Sequence, residues 1–435
     1  MKLISKKANS SQLAIVALII GISTLWAEVK PLNLERSIEI ALTNNHSLLS
    51  ASKKVASAKE KVWEAKTGFY PIFSLSSNYT RLNEATTVDF QGRSMALSDE
   101  EISEAKGIIQ QPLFTGGKIS SGYKLAKANY EAAKYEYERV KNELILEVKS
   151  AYFGILKALK FQQIAQEAVE QVEAHLKVVG NFYDAGMVAK VDVLKAEVEL
   201  ANVKQNLIRA ENGVRLAKAA FNQVLAEDQN TPLEIIDILE FRPQTINLDN
   251  CIKQAQTMRP ELKQIKATIE VLKQRVKIVR SDYYPSVALI GNYDYQKGKK
   301  TPIDEWQETW MAGVLVNFTL WDWKARKSRL NQAEANLAAV EEQLLLLKDR
   351  ILLEVRQAYL SLEEAEKNIG VAQKSIGQAE ENLRISKEMY KEGASTTTDV
   401  LDAQTLLTQA KTNYYQALYD YNLAWAKLQK AIGRN

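Results

Sequence analysis

Between residues 123 and 155 the chain places Tyr123, Ala126, Tyr130, Ala133, Tyr137, Val140, Leu144, Val148, Ala151 and Ile155 at steps of three and four. That spacing draws one apolar stripe along an α-helix. Adding 207 to each number gives Leu330, Ala333, Leu337, Val340, Leu344, Leu347, Ile351, Val355, Ala358 and Leu362, again all apolar. The step is a heptad as far as Leu144 and then takes an extra four-residue stride to Val148, a stutter that locally unwinds a supercoil. Unbroken helix over 118–183 would extend roughly 100 Å at about 1.5 Å per residue. A chain of 435 residues with two such helices is expected to be a rod or a tube.

The repetition runs through the whole chain. Val148-Lys149-Ser150-Ala151-Tyr152 is answered by Val355-Arg356-Gln357-Ala358-Tyr359, and Asp192-Val193-Leu194 by Asp399-Val400-Leu401. Nearer the start of each half the offset is 214, pairing Gly68-Phe69-Tyr70-Pro71 with Asp282-Tyr283-Tyr284-Pro285. A period of about 200 residues is far longer than a solenoid unit and marks a duplicated module. The expected division is a leader over 1–27, a first repeat over 28–230, a linker over 231–247 and a second repeat over 248–435.

In the leader, Lys2, Lys6 and Lys7 precede the apolar run Leu13 to Ile22, and Ala27 comes before Glu28. That is the layout of a secretory signal peptide, and the run is short for a membrane anchor. Losing three lysines takes the formal net charge from +4 to +1, which leaves a nucleic-acid role without electrostatic support. After residue 27 no segment approaches the roughly 20 apolar residues of a spanning helix. The lone Cys251 cannot form an internal disulfide and is expected to be a small buried apolar residue.

Each half reads helix, strand, loop, strand, long helix, turn, helix. The first helices are expected over 34–66 and 248–280, the long ones over 118–183 and 325–391, and the last over 191–226 and 398–432. Tyr-Pro ends the first helix in both halves, because proline drives the residue before it out of the α region. Period-two alternation follows: Phe73, Leu75 and Tyr79 oppose Ser74, Ser76, Asn78 and Thr80, and Val287, Leu289, Tyr293 and Tyr295 oppose Ser286, Asn292 and Asp294. Strands are expected over about 70–81, 105–114, 284–296 and 310–321. Two readings of them stay open: a half-buried sheet on a soluble domain, or tilted transmembrane strands of about 9–11 residues. Tyr79, Tyr293, Tyr295, Trp306 and Trp310 gather near the polar hairpin tips, as an aromatic girdle would.

Both long helices run into a glycine turn, Tyr183-Asp184-Ala185-Gly186-Met187 and Tyr390-Lys391-Glu392-Gly393-Ala394. Glycine supplies the left-handed residue that ends a helix. Asp192 and Asp399 suit the N-cap or first turn of the next helix, with Thr398 an alternative cap. Helix termination alone accounts for all four positions.

Together these motifs resemble the outer-membrane efflux protein family, the TolC-like outer-membrane channels. The resemblance covers nearly all of the chain after the leader. It rests on the strand starts Tyr70-Pro71 and Tyr284-Pro285, the strand ends Gln111-Pro112-Leu113-Phe114 and Thr319-Leu320-Trp321, and the paired Gly-x5-Asp-Val tips. It implies a mainly α fold with a small β part. Long antiparallel coiled-coil helices would form a periplasmic α-barrel, and four strands per protomer would join a 12-stranded transmembrane β-barrel in a homotrimer. A closed ring satisfies the strand edges that lipid cannot.

The resemblance also implies roles for single residues. Asp399 and Asp402 would narrow a periplasmic aperture, and Tyr390 would bond Asp192 in the closed state. Ser395 stands where the family has an arginine for that lock, and Lys195, at the repeat position of Asp402, is a substitute partner. Gly186, Met187, Gly393 and Ala394 match the tips that dock a periplasmic adaptor, through which an inner-membrane transporter would act. Tyr70, Pro71, Pro112, Tyr284 and Pro285 would lie at the rim nearest the periplasm, against outer-membrane lipid. The function implied is a passive exit duct for efflux or type I secretion. The alternative is an exported coiled-coil structural or adhesion protein without a pore.

No cofactor is expected. His46 and His175 lie far apart without metal-ligand neighbours and read as surface or packing residues. Gly116-Gly117 lacks the lysine and hydroxyl of a phosphate loop. There is no nucleophile set, zinc pattern or nucleotide fingerprint, so no enzyme is expected.

Overall fold

The computed structural model describes residues 31–298 and 305–434. The signal peptide expected over 1–27 and part of the second hairpin tip lie outside the described residues. The first half contains α1 (Leu34–Asn44), α2 (His46–Thr67), β1 (Ile72–Arg81), β2 (Thr87–Phe90), β3 (Arg93–Ala96), β4 (Glu101–Phe114), α3 (Lys118–Asp184) and α4 (Lys190–Leu225). The second contains α5 (Leu248–Met258), α6 (Pro260–Ser281), β5 (Ser286–Lys297), β6 (Gln307–Asn317), α7 (Ala325–Lys391) and α8 (Thr397–Ala431). The fold is mainly α with a small antiparallel β part. α3 and α7 are each 67 residues long, about 100 Å.

The stripe that predicts these helices is their packing face. All twenty positions are buried or half-buried, and Val148, Ile155 and Val355 are fully enclosed. α3 pairs with α4 and α7 with α8, while α3 also packs on α8. Cys251 is buried in the main core.

The first helix of each half departs from the expectation of one continuous helix. It breaks in two, at Asn45 and at Arg259. Asn45 turns extended (ψ 125°) and its side chain caps α2 by accepting from Ser47 N at 2.9 Å. Arg259 turns extended (ψ 122°) because Pro260 follows it.

The segment 231–247 lies as a strap across both halves. Tyr152 of α3 donates its hydroxyl to Ile236 O at 2.7 Å, Lys160 pairs with Asp237 at 2.7 Å, and Tyr421 of α8 donates to Arg242 O at 2.7 Å. Burial pushes the Tyr152 hydroxyl up to about 12, which keeps it a donor.

Four strands form one antiparallel sheet in the order β1-β4-β5-β6, so β4 against β5 joins the halves. One row across it reads Leu75, Gly107, Tyr293, Trp310, and the next reads Ser76, Lys106, Asp294, Thr309. The period-two pattern therefore sorts apolar and polar side chains onto opposite faces through the middle of the sheet, with Ile72, Ile108, Ile290 and Met311 among the apolar exceptions on the polar face. The apolar face is bare, with Leu75 83 % exposed. On the polar face Lys106 and Asp294 pair at 3.4 Å.

Three details depart from the expected strands. β4 begins at Glu101, β6 ends at Asn317, and the first tip contains a hairpin of its own, β2–β3. Its two-residue turn, Gln91-Gly92, has both φ angles positive, as a primed hairpin turn requires. No described helix is long and apolar enough to cross a membrane.

Candidate functional site

The two glycine turns face away from the sheet at the far ends of α3 and α7. Each is a complete Schellman closure. Gly186 (φ 75°) donates to Tyr183 O at 2.9 Å and Met187 to Phe182 O at 2.8 Å. Gly393 (φ 74°) donates to Tyr390 O at 3.1 Å and Ala394 to Met389 O at 2.8 Å. The left-handed residue lets these amides satisfy the last helical carbonyls. Open space surrounds both glycines where a Cβ would sit.

Beyond the turns the two copies diverge. α4 starts at Ala189 with no side-chain cap, and Asp192 sits in its first turn. α8 starts at Thr396, which forms a capping box with Asp399. Thr396 is thus the cap, in place of Thr398, and Asp399 lies in the first turn, the second of the two places expected for it. One oxygen of Asp399 accepts from Thr396 N at 2.7 Å, from the Thr396 hydroxyl at 2.7 Å and from the Ser395 hydroxyl at 3.0 Å. These bonds, the Thr396 amide first, hold its carboxyl below the usual range. Ser395 serves Asp399 within its own turn. Asp402, one turn on, is exposed.

Tyr390 and Asp192 are not brought together by a hydrogen bond here. The Tyr390 ring is buried, stacked on Phe182 at 5.6 Å and edge-on to His175 at 5.1 Å. Its hydroxyl accepts from Thr397 at 3.2 Å. A phenol enclosed among α3, α7 and α8 finds its nearest polar partner in its own turn. The cross-link between tips comes from Lys195, whose Nζ lies 3.6 Å from Asp192 Oδ1 and 3.4 Å from Thr398 Oγ1. It ties α4 to the start of α8.

His175 is the residue that sequence reasoning undervalues. It is 5 % exposed, and its Nε2 has no hydrogen-bond partner. Burial first, then the charge of Lys387, pushes its pKa down to about 4. Its place on the inner stripe, seven residues before Phe182, is the signal that would have found it.

At the opposite end Tyr70-Pro71 and Tyr284-Pro285 each span the gap between helix and strand. Pro112 lies inside β4 at a register shift, where its missing amide costs no ladder bond. Gly116 (φ 61°) joins the two halves here. A Cβ on it would lie 2.8 Å from Ser281 O and 2.9 Å from Tyr284 Cβ.

The family model "Outer membrane efflux protein" matches residues 37–227 and 251–434, one segment in each half. The outer membrane protein TolC of Vibrio cholerae is 24% identical over 94% of this chain and 92% of its own length. Among solved structures, the Campylobacter jejuni CmeC outer membrane channel aligns with a TM-score of 0.81 at 19% identity, covering 92% of this chain and 85% of that one. The open-state Neisseria gonorrhoeae MtrE outer membrane channel aligns with a TM-score of 0.77 at 18% identity, covering 92% and 89%. Both halves are matched by the model of a family of non-enzymatic outer-membrane transport ducts, and the chain belongs to the outer membrane efflux protein family.

Proposed function

We propose that three copies of this chain close into one outer-membrane exit duct, gated at the helical tips and joined there to a periplasmic adaptor and its inner-membrane transporter. The observation that carries this reading is the four-stranded sheet, with a bare apolar face and two open edges on β1 and β6. Open edges are intolerable in lipid, whereas three sheets joined edge to edge leave none. The flanks of the rod support the same assembly. Leu346, Leu353 and Leu360 of α7 and Val191, Val198 and Leu216 of α4 are exposed and need a neighbour.

At the tip, the uncapped α4 start and the boxed α8 start support a reading in which one helix pair is the gate and the other the frame. Lys195 bridges the pairs, and its release from Thr398 would let α7 and α8 swing outward. Asp402 would then be the free carboxylate of the aperture, with Asp399 held in its cap. The glycine turns, open on all sides, are the adaptor contact. Cargo would follow the transporter, because a water-lined duct selects little.

Heat-modifiable gel mobility together with planar-bilayer conductance tests this reading. A trimer with stepwise conductance is expected, and a monomer without conductance would overturn it. Gly393→Trp is expected to abolish adaptor cross-linking while leaving conductance intact.

A further inference from the structure

Where the strands meet the helices, the chain turns from aromatic to cationic within a few residues. Phe318, Leu320, Trp321 and Trp323 follow the end of β6, with Leu320 82 %, Trp321 70 % and Trp323 86 % exposed. The two indoles meet edge-on at 5.9 Å. Indoles this bare favour the interface of a bilayer, where the ring is half apolar and half wet.

The cations come next. Lys324, Arg326, Lys327 and Arg329 lie at the start of α7, and Lys118 opens α3. Two carboxylates serve them. Asp282 is shared by Lys118 at 3.7 Å and Arg329 at 3.7 Å, and Asp322 by Arg326 at 3.1 Å and Arg329 at 3.8 Å. Arg326 is further fixed against the Tyr283 ring at 5.3 Å. Lys324 and Lys327 are exposed and form no ion pair among the described residues. Five cations against two carboxylates leave a surplus of three positive charges per chain at this level.

The other end of the strands has the opposite sign. Residues 81–104 carry six carboxylates, Glu84, Asp89, Asp99, Glu100, Glu101 and Glu104, against Arg81, Arg93 and Lys106 at its edge. The second tip, 297–308, balances Lys297, Lys299 and Lys300 with Asp304, Glu305 and Glu308, so the positive surplus is confined to the helical end of the sheet.

We propose that Trp321, Trp323, Lys324, Lys327 and Arg329 form a binding band for the phosphate headgroups of anionic phospholipid in the periplasm-facing leaflet. The proposal rests on the reading that the apolar strand face meets lipid. The indoles set the depth, and the cations meet phosphate just beyond them, where basic residues beside an anionic surface attract it. Arg329, half exposed and oriented by Asp282 and Asp322, presents a guanidinium fork of the kind that matches phosphate oxygens, while Arg326 is engaged by Asp322, Asp282 O and Leu320 O and frames the site from behind.

The full-length protein, reconstituted in phosphatidylcholine vesicles containing a fixed fraction of brominated phosphatidylglycerol or of brominated phosphatidylcholine, supplies the test. The indole signal is isolated by comparison with Trp321→Phe/Trp323→Phe. Brominated phosphatidylglycerol is expected to quench it several-fold more than brominated phosphatidylcholine, and Lys324→Gln/Lys327→Gln is expected to remove most of that preference. Equal quenching by the two lipids, or a preference unchanged in the lysine variant, would overturn the proposal. Trp310, in mid-strand, separates the two ideas. If both lipids quench it, the strands are inserted and the headgroup proposal alone stands or falls; if neither does, the membrane reading fails as well.

Discussion

Asn45 and Arg259 occupy the same position in the two halves and reach the same carbonyl. Asn45 Nδ2 donates to Val224 O at 3.0 Å, and Arg259 Nη1 donates to Ala431 O at 3.2 Å. The donors are 214 residues apart and the acceptors 207, the two offsets of the duplication. Each half therefore ties the break in its first helix to the end of its last. The chemistry has diverged within a conserved contact. Arg259, 4 % exposed, also pairs with Glu261 at 2.9 Å and Glu354 at 2.7 Å.

Arg259→Ala leaves Glu261 without its partner in a half-buried place and is expected to cost about 3 kcal/mol. Asn45→Ala removes a cap and one hydrogen bond and is expected to cost about 1 kcal/mol. Chemical denaturation of the purified protein followed by circular dichroism compares the two. Burial alone would raise the Glu261 carboxyl, but Arg259 overrides it and holds it low. The pair's contribution is thus present above the ordinary carboxylate range and lost as pH falls through the lowered value.

His175 predicts an acid-sensitive tip. Its folded value of about 4 lies below the ordinary 6.5, so an opened tip binds the proton first. Tip stability should fall from pH 6.5 downward and level off near pH 4, by up to about 3 kcal/mol in total. The surroundings offer no carboxylate to rescue the imidazolium: α7 faces it with Lys387 and Tyr390, and on α4 Lys204 is paired with Glu173 at 2.8 Å. Hydrogen-exchange protection at the end of α7, taken relative to the intrinsic amide rate at each pH, should fall in acid, and His175→Phe should flatten that pH dependence between 6.5 and 4.

Asp399 and Asp402, the aspartates of the proposed aperture, should separate by experiment. Thr396→Ala breaks the capping box and is expected to destabilise the start of α8 by about 1 kcal/mol. Asp399→Asn should act in the same direction, since it weakens the same bonds. Asp402→Asn should leave thermal stability unchanged and alter cation preference in single-channel recordings. Equal effects of both aspartates on conductance, without any change in melting, would argue against a capping role for Asp399.

Glycine substitutions should rank by surroundings. Gly186→Ala and Gly393→Ala meet open space and bear only the left-handed backbone cost, about 1 kcal/mol each. Gly116→Ala adds a collision with Ser281 O and should cost clearly more, read as a lower apparent melting temperature.

Much of the architecture is legible in side-chain periodicity because a long helix needs only a continuous stripe, and a sheet only alternation. Tyr123 to Ile155 and its copy predict two helices near 100 Å, and Phe73, Leu75 and Tyr79 predict an apolar strand face. Local signals that compete with a pattern are harder to read. The break at Asn45 interrupts an otherwise helical run, and only the reach to Val224 explains it. Gln91-Gly92 is an uncommon primed turn, so the β2–β3 hairpin passes for a polar loop.

The chain alone determined its duplication, its element types and the residues that face each core, because these depend on the order of neighbours along the backbone. Tertiary structure decided which polar groups meet. Tyr390 is spent on Thr397, Asp399 on Thr396 and Ser395, while Lys195 reaches across to Thr398. A hydrogen bond is settled by a few ångströms between groups as much as 280 residues apart, and periodicity carries no such distance.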